Sequence, residues 1–241
     1  MMGWTLLMAA SALVQTPVQG PGAAAPAPDA PTEAYRVVLM RAAPGRLLDL
    51  IQLLEQRAAV MEAAGEPATL VMRHSQGDHW DLMSLAPIGS LEEYYSEGRR
   101  EPEAELRDML SWREELFAEG PEREALQLAA RDAGLFHIEM FIALPGKYEA
   151  LVEQRYMENA YYNGTERRGN FVFTRIGGAA WDVFTVGFYN DWAEFVAEPD
   201  LPQESFEQAA RDAGFEARNR IGTYLRELIL SHNDTLAGRA Y

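Results

Sequence analysis

The 241-residue sequence contains no cysteine. That excludes disulfides, thiolate nucleophiles, zinc-finger sites and a lipidated cysteine. Lysine is nearly absent too: Lys147 is the single one among 21 basic residues, a composition bias toward arginine. Positive charge is scarce overall, with 21 basic against 37 acidic side chains and a net charge of −16. Nucleic acid and anionic membrane surfaces both require a basic footprint, so neither is expected as a partner. There is no GxSxG, no GxxxxGK[ST] and no dinucleotide fingerprint, which leaves serine-hydrolase, P-loop and dinucleotide-binding readings without support. The four histidines show no HxH or HxxxH spacing, so the sequence carries no metal signature and no cofactor is assigned from it.

Charge is also missing from the N-terminal stretch, where the first charged residue is Asp29. Trp4 to Val14 form an apolar run of 11 residues, too short for a bilayer that takes about 20 and of the length of a signal-peptide core. Small residues at Ala10-Ser11-Ala12, Gly20 and Ala23-Ala24-Ala25 offer cleavage sites. We read 1–20 as a signal peptide and 21–34 as an Ala/Pro/Gly-rich linker, with a periplasmic or secreted product and no stable membrane insertion. What remains is 48% hydrophobic over the chain as a whole, enough to build a core.

The body repeats itself. Sliding the sequence by 101 positions aligns 36–95 with 137–196, and ten of the 60 pairs are identical, against roughly four by chance. The identities include Pro44/Pro145, Gly45/Gly146, Gly77/Gly178, Trp80/Trp181 and Asp81/Asp182. A second echo links Ala129–Gly134 to Ala209–Gly214 and implies about 21 extra residues in the first copy, placed around Ser96 to Glu119. In each copy a strand (37–40, 137–144) stops at Pro-Gly. A helix with apolar residues at helical spacing follows (46–63, 147–162). Strands 70–74 and 80–85, with 171–175 and 181–188, then flank a glycine turn as a hairpin, and a short helix closes the unit (91–95, 192–197). Helices are expected at 103–117, 122–133, 204–213 and 221–231. The units are taken as 35–134, with a helical insertion, and 135–241, with a C-terminal helix. No fourth strand is visible in either.

Two tandem β-α-β-β-α units with Pro-Gly after the first strand and a glycine in the hairpin turn resemble the dimeric α/β-barrel superfamily. That grouping includes antibiotic-biosynthesis-type monooxygenases, NIPSNAP-like proteins and chlorite-dismutase-like haem proteins. The resemblance implies an α+β fold in which tandem ferredoxin-like units form an intrachain α/β barrel with additional helices. It also implies a pocket between two sheets. It transfers no catalytic residue, because no catalytic signature of those families matches a position here.

Strand alternation sorts the side chains into two faces. Val37, Leu39, Leu70, Met72, Met83 and Leu85, with Ile138, Met140, Phe171, Phe173, Phe184 and Val186, make an apolar face assigned to packing beneath the helices. The other face mixes aromatic and polar groups and is taken to line a pocket. Arg36, Arg73, Trp80, Ser84, Thr174, Trp181 and Thr185 are its ligand-binding candidates. His137 and Glu139 are two apart on one strand and could move protons together, although an ion pair of Glu139 with Arg36 and Arg73 serves structure equally well. Arg36, Arg73 and Glu139 sum to +1, which points to an anionic or enol-forming ligand. Asp81 and Asp182 are read as fixing the hairpin or lying in solvent, His74 and His79 as loop residues, and His232 as a C-terminal helix cap. Three functions are consistent with this: an exported small-molecule-binding protein, a cofactor-independent enzyme of monooxygenase or isomerase type using His137 and Glu139, and a haem protein with His137 as axial ligand.

Overall fold

The computed structural model describes residues 25–96 and 104–241. The apolar leader, most of the linker and part of the charged run from Arg99 to Glu105 lie outside them. The elements are β1 (Thr32–Ala42), α1 (Leu47–Ala63), β2 (Leu70–Gln76), β3 (Leu82–Gly89), α2 (Leu91–Ser96), α3 (Ala104–Asp108), β4 (Leu110–Pro121) and α4 (Arg123–Ala130). The second unit follows as β5 (Leu135–Ala143), α5 (Tyr148–Gly164), β6 (Phe171–Gly178), β7 (Val183–Tyr189), α6 (Trp192–Val196), α7 (Gln203–Asp212), a 3₁₀ turn at Arg218–Arg220, α8 (Ile221–Arg226) and β8 (Ile229–Arg239).

The eight strands close a barrel in the order β1-β3-β2-β8-β5-β7-β6-β4, every neighbour antiparallel. Each unit contributes four consecutive strands, and the seams are β2 with β8 and β4 with β6. The seams match: Gln76 faces Leu236 across one, and Gly177 faces Phe117 across the other. The fold is therefore the expected tandem ferredoxin-like α/β barrel, and closure removes the open edges that isolated sheets would expose.

Four expectations are corrected. The helix expected at 103–117 is the short α3 followed by β4. Glu and Arg made the segment look helical, but Leu116 and Ala118 alternate into the barrel and pairing with β1 along its whole length overrides propensity. The helix expected at 221–231 ends at Arg226, and β8 is the fourth strand that the sequence hid. The extra length lies in the second unit, not the first. Asp234 stands opposite Glu139 as Glu115 stands opposite Val38, and the offset between copies grows from 101 residues at β5 to 119 at β8, a difference of 18. The echo between Ala129–Gly134 and Ala209–Gly214 is consequently not a structural correspondence, since α4 follows β4 whereas α7 precedes β8.

The fourth correction concerns the faces. The alternation was sorted correctly except at Trp80 and Trp181, but the apolar face expected beneath the helices is the barrel interior. Val37, Leu39, Met72, Met83 and Leu85 from one unit pack with Phe136, Ile138, Phe173 and Val186 from the other, all with zero exposure. These side chains form the interior core, each of them contributing about 1.5–3 kcal/mol. The face expected to line the pocket lies under α1 and α5. Val38, Met40 and Leu82 pack on Leu50, Ile51 and Leu54 in the first unit, and Phe141, Val172 and Val183 pack on Leu151 in the second.

The paired identities serve this frame. Asp81 Oδ2 accepts the Ala42 N–H at 2.8 Å and Asp182 Oδ2 accepts the Ala143 N–H at 2.9 Å, tying each hairpin to the end of its unit's first strand. Trp80 and Trp181 both pack on the interior cluster. They precede the regular strands, which is why they do not share a face with Leu82 and Val183. Gly77 and Gly178 have φ of +109° and +103°, and a Cβ at either would overlap backbone across a seam, that of Asp234 or of Glu115.

Candidate functional site

The duplication provides an internal reference, because equivalent positions of the two units can be compared. Under α1 the first unit carries Val38 on β1 and Leu54 on the helix. The second unit has Glu139 and Arg155 at the equivalent places. Arg36, Arg113 and Glu115 become His137, His232 and Asp234, as the registers of β1 with β4 and β5 with β8 show. In the first unit Glu115 accepts from Arg36 at 2.8 Å and pairs with Arg113, at the edge of an otherwise apolar layer.

In the second unit these changes gather into one polar site. His137 Nε2 lies 2.5 Å from Asp234 Oδ1, and the donor atoms of His137, Glu139 and Asp234 all fall within 4.8 Å of one another. Arg155, only 2% exposed, reaches Glu139 Oε2 at 3.4 Å, pairs with Glu158 and donates through Nε to Gln154 at 2.8 Å. Thr185 Oγ1 donates to the same Glu139 oxygen at 3.2 Å, so Oε1 is used by neither contact. Tyr162 donates to Glu158 at 2.8 Å, and the Arg155 guanidinium stacks 4.7 Å over Phe141. His232 lies flat on the ring of Phe141, 5.8 Å between centroids, and contacts Arg226. It sits within β8 and is not the helix cap expected of it.

The electrostatics follow from burial and neighbours. Burial pushes the Glu139 carboxyl above the usual carboxylate range although Arg155 pulls it down. Burial opposes charge on His137, but its hydrogen bond to Asp234 and the charges of Glu139 and Asp234 outweigh that and raise its proton affinity. The same hydrogen bond holds Asp234 below its ordinary value. Burial and Arg226 lower His232.

The site opens outward. Exposure rises from 13% at Glu139 through 18% at His137 to 56% at Asp234. Beside it stands an aromatic wall on α6 and the end of β7: Phe195 lies 5.4 Å from the His137 ring, with Tyr189 and the exposed Trp192 against Phe195. An imidazole held by a carboxylate, a second buried carboxylate and aromatic surface together suit a small ligand that has hydroxyl groups on a flat apolar body.

The remaining candidates fall elsewhere. Thr185 belongs to the site. Ser84 is its buried first-unit equivalent, Arg36 is the equivalent of His137, and Arg73 is exposed on β2. Thr174 is half-buried on β6, and Trp80 and Trp181 serve the core. The expected positive cluster of Arg36, Arg73 and Glu139 is therefore not one cavity, and the second-unit site carries more carboxylates than cations. An open cleft of about 670 Å³ lies in the first unit among Arg41, Pro44, Leu47, His79 and Trp112. Its Asp81 and His79 are committed to the Ala42 N–H and to Asp78. Sequence reasoning missed Asp234, Arg155 and Glu158. For Arg155 and Glu158 the signal was present in the alignment at an offset of 101, which places them opposite Leu54 and Arg57, a change of chemistry at a helix position facing Glu139, whereas nothing in that alignment reaches Asp234.

No protein-family model matches the chain, and no curated protein matches it in sequence. Solved structures do match in shape. An anthrone oxidase-like protein aligns over 87% of this chain and 92% of its own with a TM-score of 0.57 and 10% identity. The chain has the dimeric α/β-barrel fold. A monooxygenase-type protein from Lactobacillus acidophilus aligns over 88% and 95% at a TM-score of 0.52 and 10% identity. A chlorite dismutase from Candidatus Nitrospira defluvii, solved with imidazole, aligns over 86% and 92% at 0.48 and 8%. The first two likenesses, at TM-scores of 0.57 and 0.52, show a shared fold and leave function to the site. His137 Nε2, the nitrogen that a haem iron would take, is hydrogen-bonded to Asp234 at 2.5 Å, and Arg155 stacks on Phe141 and reaches Glu139 nearby.

Proposed function

We propose that the chain is a small-molecule-binding barrel protein whose ligand sits at the second-unit site. A hydroxylated aromatic compound would hydrogen-bond to His137, Glu139 and Asp234 and lie against Phe195 and Trp192. The observation that supports this reading is the asymmetry of the duplication. Val38 and Leu54 show that the unit folds with apolar residues at those two places, yet the second unit keeps a buried Glu139 and Arg155 there at the expense of desolvating both. A polar cluster that the fold does not require, beside exposed aromatic surface, is what ligand recognition uses.

The test is calorimetric titration of metal-free protein with catechol, resorcinol and salicylate, repeated with E139V/R155L, which restores the first-unit pair. Saturable binding of a diol that the double variant loses while staying folded supports the reading. Equal behaviour of the two proteins overturns it. Consumption of the bound compound would extend the reading to the enzymatic alternative with His137 and Glu139.

Export is the other part of the proposal, and it rests on the uncharged N-terminal stretch with its apolar run and small residues. Mass spectrometry of protein from its native host should find a mature N-terminus between residues 13 and 35. Soluble cytoplasmic protein with Met1 intact overturns it. Among the described residues no helix is long and apolar enough to cross a membrane.

A further inference from the structure

We propose that His137, Glu139 and Asp234 form a binding site for one first-row divalent cation, of the manganese-to-zinc class, with open coordination positions facing the ligand. The inference deepens the reading of the second-unit site as a ligand site and rests on it. One imidazole nitrogen and two carboxylates converge from two neighbouring strands: His137 and Glu139 are two apart on β5, and Asp234 stands directly opposite Glu139 on β8. Backbone pairing therefore holds all three on one face, so the donor set does not depend on a loop.

The distances suit a cation. All three donor atoms lie within 4.8 Å of one another. Ligands at right angles around an ion with bonds of about 2.1 Å are about 3 Å apart. The 2.5 Å contact between His137 Nε2 and Asp234 Oδ1 has only to widen slightly to admit an ion between atoms that now share a proton. Glu139 is oriented from behind, with Arg155 and Thr185 both on Oε2, leaving Oε1 unused by either. Such supporting hydrogen bonds are what fixes a metal-ligating carboxylate.

Charge agrees. Two carboxylates neutralise a dication, and mixed nitrogen and oxygen donors favour Mn²⁺, Fe²⁺, Co²⁺ or Zn²⁺ over Mg²⁺ or over thiolate-seeking ions. Three protein ligands on one side leave positions for water or a chelating ligand, as in catalytic rather than structural metal sites. The first unit again provides the contrast. Its equivalent positions are Arg36, Val38 and Glu115, which provide one carboxylate and a guanidinium that cannot ligate. The sequence showed no metal signature because Asp234 is 95 residues from Glu139 and meets it only through strand pairing.

The experiment uses tag-free full-length protein treated with chelator and then titrated with Co²⁺. Visible absorption reports the coordination, and competition with Zn²⁺ reports the affinity. One Co²⁺ per chain is expected, with Zn²⁺ displacing it. H137A and D234A should each weaken binding at least about 100-fold, and R155L about 10-fold or more through the misplaced Glu139. E115Q, the first-unit counterpart, should leave the affinity and the spectrum unchanged. Asp234 is exposed, so D234A should keep its fold, and far-ultraviolet circular dichroism checks that for every variant. Binding no tighter than about 1 mM, or binding that survives the loss of both His137 and Asp234, overturns the proposal. The cation is titrated alone and the organic compounds are titrated into metal-free protein, so the two readings fail separately.

Discussion

The buried ion pair between Arg155 and Glu139 is the most informative place to perturb the fold, because the molecule contains its own apolar version. Arg155 is 2% exposed and holds two carboxylates, Glu139 at 13% and Glu158 at 17% exposure. R155L therefore leaves two largely desolvated acids without their cation, and breaking a buried pair in this way costs about 3–5 kcal/mol. E139V is expected to cost less, about 1–2 kcal/mol, because Arg155 keeps Glu158 and Gln154 as partners. Combining them reproduces the Val38 and Leu54 pair, and removing both ions together is commonly neutral or favourable. The double variant should recover about 1–3 kcal/mol of the loss seen in R155L, giving a coupling energy well outside experimental error. Urea unfolding followed by circular dichroism measures all three, and an unchanged slope ensures that midpoints report stability. An R155L loss below about 1 kcal/mol, or strictly additive effects, would refute the claim that these charges are buried and coupled.

Two further predictions follow from the seam and its turn. Gly77→Ala should destabilise the barrel by more than Gly45→Ala: both need positive φ, but a Cβ at Gly77 overlaps the Asp234 backbone whereas at Gly45 nothing lies within 4 Å. The conformational part is about 1–2 kcal/mol at either site, and thermal melting should rank Gly77 clearly worse. Asp78 is buried, which by itself raises its pKa, yet hydrogen bonds from Asn233 and His79 bring it below its ordinary value. A carboxyl whose folded pKa is depressed adds stability above its unfolded value of about 3.9, and that stability is lost as pH falls through the folded value. Urea midpoints from pH 7 to pH 3 should therefore fall less steeply in D78N than in the parent protein, and parallel curves would contradict this.

Local signals in the chain were enough for the element order up to the first hairpin of each unit. Pro44-Gly45 and Pro145-Gly146 mark strand ends, apolar spacing marks α1 and α5, and Gly77 and Gly178 mark turns whose backbone only glycine adopts cheaply. These features act within a few residues, so they survive in the sequence. The duplication itself was legible, and with it the place where Glu139 departs from Val38.

Tertiary structure alone decided the rest. Both faces of each sheet are largely apolar, so alternation could separate them but could not say which turned inward. That depended on two sheets meeting, with Val37 and Leu39 against the other unit's core and Val38 and Met40 against α1. β4 and β8 were hidden because charged and polar residues fill them, and only pairing along β1 and β5 stabilises them as strands. The site depended on the same pairing. His137 and Glu139 are neighbours on one strand and could be found together, whereas Asp234 joins them through the antiparallel register of β5 with β8, a long-range relation that no local pattern encodes.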